Sequence, residues 1–196
     1  MAFVTCKHLT YAKYTSGGDG SAVVYAGGKQ LSDYLCKVDQ GENRDDVKEY
    51  ADGHLIDSEK LLQDVTVNFE LATTDKNIRG DFLGHVTEGS GANAYKRITD
   101  ADAPFVGVGF VLANRFKGTV TYEAWWYYKT QFTSAGVSVN TRREQTEFQH
   151  ETINGVGAGV KFAASDENFS FVDYVDELDT EAAAVAWLKT KAGIQS

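Results

Sequence analysis

The side chains through which this chain could do chemistry are four histidines, two cysteines and an excess of carboxylates. His8, His54, His85 and His150 stand far apart, and none has metal-ligand spacing from another histidine or from a cysteine. Cys6 and Cys36 are the only cysteines, which implies no disulfide framework; reduced, partly buried thiols are the expectation. No Gly-x-Ser-x-Gly elbow occurs. Gly155-Val156-Gly157-Ala158-Gly159 lacks both the lysine of a P-loop and the full dinucleotide pattern. Acidic pairs such as Asp45-Asp46 and Asp176-Glu177 offer carboxylates, but glycoside hydrolysis needs two of them held across a cleft. The acids of Asp39 to Glu49 are out of register for a calcium loop. The expectation is therefore a protein that is not an enzyme, with no cofactor and no metal.

The aromatic run Trp125-Trp126-Tyr127-Tyr128 points to binding instead. On a strand, Trp125 and Tyr127 share one face while Trp126 and Tyr128 share the other. Large side chains on both faces predict a strand buried on both sides. One face is expected to be core. The other, with Trp125 and Tyr127, is expected either to be covered by another subunit or to take a sugar ring.

Whatever positions these residues is β-structure. The chain has 196 residues, one proline against 19 glycines, and many Val, Thr, Tyr and Phe, a composition that favours strands punctuated by turns. That length suits one domain. A net charge of −9 with pI near 4.9 excludes a phosphate-gripping surface. No basic segment followed by a long apolar run opens the sequence, so no signal peptide is expected. No run of about 18 apolar residues predicts a membrane span.

Strands are predicted over Val4 to Tyr14, over Ala22 to Ala26 with Gly27-Gly28 ending it, and over Gln30 to Val38. Asp39 to Lys60 is highly charged, with Asp52-Gly53 as a tight-turn signal at its middle. It is either a solvated loop or a long hairpin that orders against a neighbour. Asp64 to Leu71 alternates, with Val65, Val67, Phe69 and Leu71 on one side. Asp75 is expected to cap a short helix bearing Ile78, Phe82 and Leu83, closed by Gly84.

Glu88 to Asp102, with Gly89-Ser90-Gly91, is polar. Val106, Val108, Phe110 and Leu112 predict a strand face, and Gly118 turns the chain into a strand over Thr119 to Gln131 through a three- or four-residue loop. Ala135 to Asn140 reads as a turn and short strand, Glu144 to Ile153 as a strand, and Gly155 to Gly159 as a loose connection. A strand over Phe169 to Val175 precedes a helix capped by Asp179. Ala184, Val185, Leu188 and Ala192 form its buried stripe, Lys189 and Lys191 favour its end, and Gly193 stops it. The sum is a mainly β (α+β) sandwich or barrel with helices at its edge.

In order, Tyr50-Ala51-Asp52-Gly53 in an acidic hairpin, the strand Asp64 to Leu71, a short helix ending Leu83-Gly84-His85, then Pro104 and Gly107-Val108-Gly109-Phe110 follow one another. Trp126-Tyr127-Tyr128-Lys129 with Phe132, and the Thr/Glu-rich stretch Gln145 to Thr152, complete the set. Over roughly Tyr25 to Gly159 this resembles the major tail protein family of siphophages, although Thr133-Ser134-Ala135 lacks the proline that the family often has after its aromatic strand. The resemblance implies a single tail-tube domain over 1–196, with an N-terminal arm (about 1–21), an inter-ring hairpin (about 39–60) and a C-terminal helix (about 179–192). It implies six-membered rings stacked into a hollow tube through which DNA is delivered, in a virion tail assembled in the host cytoplasm. The partners implied are further copies of the chain, the tape measure protein and viral DNA in the lumen without sequence-specific binding, and the tail terminator and distal tail protein at the ends, with no membrane insertion.

On that resemblance the hairpin residues expected to reach the next ring are Arg44, Asp45, Asp46, Lys48, Glu49, Asp52, His54, Asp57 and Glu59. The polar strand faces Asp64, Thr66, Asn68, Glu70 and Thr119, Thr121, Glu123 are the lumen candidates; acids there would let DNA slide. A carbohydrate-binding sandwich, or a tail terminator or capsid decoration protein, is the alternative.

Overall fold

Period-two alternation rather than helix periodicity dominates the chain, and the computed structural model is accordingly mainly β. It describes residues 2–51, 54–73, 76–87, 95–96, 102–134 and 150–194. The Asp52-Gly53 turn, the Asp75 cap, the Gly89-Ser90-Gly91 stretch, the Ala135 to Asn140 segment and residues 144–149 of the Glu144 to Ile153 strand lie outside them.

The strands are β1 (Ala2–Ser16), β2 (Val24–Leu31), β3 (Leu35–Ala51), β4 (His54–Leu71), β5 (Val86–Thr87), β6 (Tyr95–Lys96), β7 (Phe105–Phe116), β8 (Thr119–Ser134), β9 (Glu151–Gly157) and β10 (Val172–Leu178). Two helices accompany them, α1 (Lys76–Leu83) and α2 (Glu181–Lys191). One antiparallel sheet runs β2-β1-β7-β8-β9-β4-β3, and β10 adds to β8. β8 is its hub. It pairs with β7 along one edge; along the other it takes β10 over Tyr122–Tyr127 and β9 over Thr130–Ser134. The sheet curls until β1, one strand in from its β2 end, comes against β3 at the other, so that Cys6 Sγ lies 3.8 Å from the Cys36 carbonyl.

Curling gives the sheet an inside and an outside. Inside, Leu9, Tyr11, Val65, Val67, Phe69, Leu71, Val106, Val108, Phe110, Tyr127, Phe132 and Ile153 form one core, closed by Ile78, Phe82 and Leu83 of α1. These are the predicted faces of β4, β7 and α1. Phe69 stacks on Phe132 and meets Phe110 edge-on. Outside, α2 lays Ala184, Leu188 and Ala192 over Ala12, Val111, Ala124 and Trp126. Trp126 fits because β7 offers Gly107 and Gly109 beneath it; a Cβ on either would stand 2.6–2.7 Å from the indole. The aromatic run is thus buried on both faces, Trp126 in the outer core and Tyr127 in the inner one.

Several expectations need correction. β2 continues through Gly27-Gly28, and the bend at Ser32-Asp33, where Asp33 has φ 63°, separates it from β3. The β7–β8 turn has two residues, Lys117 and Gly118, both at positive φ, the geometry that matches the twist of paired strands. Gly155 and Gly157 belong to β9 rather than to a loose connection. Gly155 is required there because the Phe132 ring occupies the place of its Cβ. The final strand starts at Val172, three residues later than expected, and ends at Leu178. The cap of α2 is Thr180, whose hydroxyl accepts from the Ala183 amide at 3.2 Å, not Asp179.

Candidate functional site

β3 and β4 outgrow the sheet that carries them. β9 pairs β4 only from Val65 to Leu71, whereas the β3–β4 ladder continues outward to Ala51 and His54. Beyond Asn43 and Asp64 the two strands have only each other. The ribbon extends about 25 Å at the usual rise of a strand. Residues 42–50 and 54–61 are all exposed. Arg44, Asp45, Asp46, Lys48, Glu49, His54, Asp57 and Glu59 therefore project from the body together, as the sequence suggested; Asp52 lies outside the described residues. The ribbon also exposes Val47, Tyr50, Leu55, Ile56 and Leu61. Its ion pairs run along β3, from Arg44 to Glu42 and from Lys48 to Asp46, each at 2.7 Å. The Lys48 hydrogen bond holds Asp46 below the usual carboxylate range.

The two groups of lumen candidates do not share a surface. On β4, Thr66, Asn68 and Glu70 alternate with the buried Val65, Val67 and Phe69, so they point outward, as does Asp64 from its place beside the ribbon. On β8, Thr119, Thr121 and Glu123 stand in phase with Trp125 and Tyr127, on the inner side of the sheet. Glu123 is already engaged, accepting hydrogen bonds from Asn114 and from the Trp125 indole. Glu70 receives the His150 ring at 2.9 Å.

Trp125 and Tyr127 also part company. Tyr127 is only 3% exposed and belongs to the inner core, so it offers no ring face to a partner. Its hydroxyl accepts a hydrogen bond from Gln40, and burial pushes it up to about 12. Trp125 is half-buried and stacks flat on the exposed Tyr174 of β10, with centroids 4.8 Å apart and planes 15° from parallel. Together they form one wall of an open groove of about 740 Å³ between β10 and the ribbon's root, with Phe169, Phe171, Leu62 and Glu42 around it. The contribution of β10 was invisible in sequence, because only the β8–β10 ladder brings Tyr174 to Trp125.

A second cluster also escaped the sequence reading. Cys36 Sγ on β3 lies 3.9 Å from His150 Nε2, and His150 Nδ1 faces Glu70. The order thiol, imidazole, carboxylate is that of an activated nucleophile. Here, however, burial and the Glu70 charge both raise the Cys36 thiol, so it rests protonated near neutral pH. No group of three or more ligating side chains among the described residues is arranged to hold a metal ion. No helix among them is long and apolar enough to cross a membrane.

Comparison with known proteins adds no relative: no protein-family model matches the chain, and no curated protein matches it.

Proposed function

We propose that this chain is a structural protein that associates with copies of itself, as the tube subunit of a long-tailed phage, with its place in the virion tail. One observation carries the reading. A two-stranded ribbon holding Val47, Tyr50, Leu55, Ile56 and Leu61 stands free of its own domain. A lone hairpin is marginal in water, and exposed apolar side chains grouped on one element mark a contact surface. Nothing described within the chain covers them, so the partner is another molecule.

The open margins of the sheet support the same reading. β2 and β3 end it, and β10 pairs on one side only. Unpaired strand edges are sites of pairing between chains, and repeated head-to-tail contacts build rings or filaments. An acidic surface keeps a passing polyanion from adhering. The ribbon then reaches a neighbouring ring, and DNA, with a tape measure protein before it, occupies the lumen.

The test is negative-stain electron microscopy of the purified chain across a concentration series. Stacked rings or hollow tubes are expected. Small monodisperse particles at every concentration count against the reading. They would shift weight to the second one, a sugar-binding module, which the Trp125–Tyr174 pair at the groove favours. On that reading Trp125→Ala abolishes carbohydrate binding by a stable monomer.

A further inference from the structure

The ladder of the ribbon sorts its charges by face. Directly opposed residues share a face. Asp45 opposes Leu61, Val47 opposes Glu59 and Glu49 opposes Asp57. That face carries four carboxylates, two apolar side chains and, at its tip, the Ala51–His54 pair, but no lysine or arginine. Arg44 opposes Leu62, Asp46 opposes Lys60, Lys48 opposes Ser58 and Tyr50 opposes Leu55. This second face carries three cations against Asp46 and, at its root, Glu42. The Ser58 hydroxyl reaches across to Asp46 at 3.3 Å, as residues on one face should.

The acidic face is poorly arranged for a free chain. Glu49 and Asp57 stand directly across from each other, and like charges so placed repel. No lysine or arginine of the ribbon shares their side. What would relieve them is a surface of about the same size carrying cations between apolar side chains. The ribbon's own second face is such a surface: Lys48, Lys60 and Arg44 alternate there with Tyr50, Leu55 and Leu62. Arg44 and Lys48 now hold Glu42 and Asp46 through exposed pairs, which are weak and exchange readily.

We infer that the acidic face of one ribbon stacks on the basic face of the ribbon of a second copy. Sheets stack about 10 Å apart with side chains between them, so the apolar residues of both faces become covered as the charges pair. The contact joins unlike faces, so the pair retains one free face of each kind and addition continues until a ring closes or a filament grows. The inference rests on the ribbon's being an assembly element, and it names what that element binds.

Charge reversal tests it. One variant carries Asp45→Lys, Glu49→Lys and Glu59→Lys, which makes both faces basic. The other carries Arg44→Glu, Lys48→Glu and Lys60→Glu, which makes both faces acidic. Neither set touches the core, and circular dichroism identical to wild type verifies folding. By sedimentation velocity at low salt, each variant alone is expected to associate at least tenfold more weakly than wild type. The equimolar mixture is expected to regain association, because every contact in an alternating array is then between opposite charges. Added salt should weaken both the mixture and the wild type. Wild-type association by either variant alone, or a mixture of folded variants that stays dispersed, overturns the pairing of faces. A wild-type chain that never associates overturns the assembly reading as well, whereas wild-type tubes with charge-insensitive variants overturn only the stacking of ribbons.

Discussion

Asp81 shows how much of this protein is decided by single side chains that sequence patterns do not reveal. It lies on α1 and is 6% exposed. Lys13 of β1 and Lys29 of β2 hold its two oxygens at 2.6 and 2.7 Å, and the Tyr11 hydroxyl donates to it at 2.8 Å. Burial acts to raise its pKa, but these three hydrogen bonds together outweigh burial and lower it. A carboxylate with a depressed pKa stabilises the fold above its unfolded value and loses that contribution as pH falls through the folded one. Asp81→Asn should therefore lose about 2–4 kcal/mol at pH 7, the range for breaking a buried, hydrogen-bonded charge. The gap to wild type should narrow below pH 4; urea titrations at both pH values check this, and a constant gap would count against it. The alternation of Val65 to Leu71 made the core face of β4 legible. Asp81 was not, because its partners come from residues 11, 13 and 29 and periodicity carries no information about which charges meet.

At the scale of elements, the sequence was most legible where one strand has one buried face and least where geometry changes along a strand. β8 changes in its middle: between the pairs Val108–Tyr127 and Val106–Thr130 it has an extra residue. That bulge is why Tyr127 and Phe132, an odd and an even position, both enter the inner core. Strict alternation cannot anticipate it. The glycines of β9 misled for a related reason, since they read as a loop until Phe132 is seen to need the space. The long β3–β4 hairpin was legible as one of two readings, and the ladder shows the hairpin itself. Because its outer part contributes nothing to either core, deleting Arg44 to Glu59 should leave stability within about 1 kcal/mol, as for exposed segments generally, while abolishing association. Thermal melting and sedimentation measure the two effects separately, and a lost melting transition would show that the ribbon holds the domain together. The two lumen candidate sets part at this same scale: each is a coherent polar face, but β4 and β8 turn those faces to opposite sides of the sheet.

For the whole molecule, the order of strands is the informative quantity. The first three strands do not sit together. β2 and β1 lie against β7 at one end of the sheet, and β3 lies against β4 at the other, with every later strand of the sheet between them. The N-terminal third of the chain thus embraces the remainder from both sides, crossing over at the Ser32-Asp33 bend, and the exposed ribbon is where it joins that remainder. A protease that nicks the ribbon once would divide the chain without dividing the domain. Denaturing gels should show two fragments, whereas gel filtration should return them as one species, held by the two separate ladders; fragments that elute apart would contradict this. A domain whose backbone can be cut at its most exposed element and still hold together can accept a foreign peptide at that place, so the ribbon is also where this protein can be extended into a display scaffold.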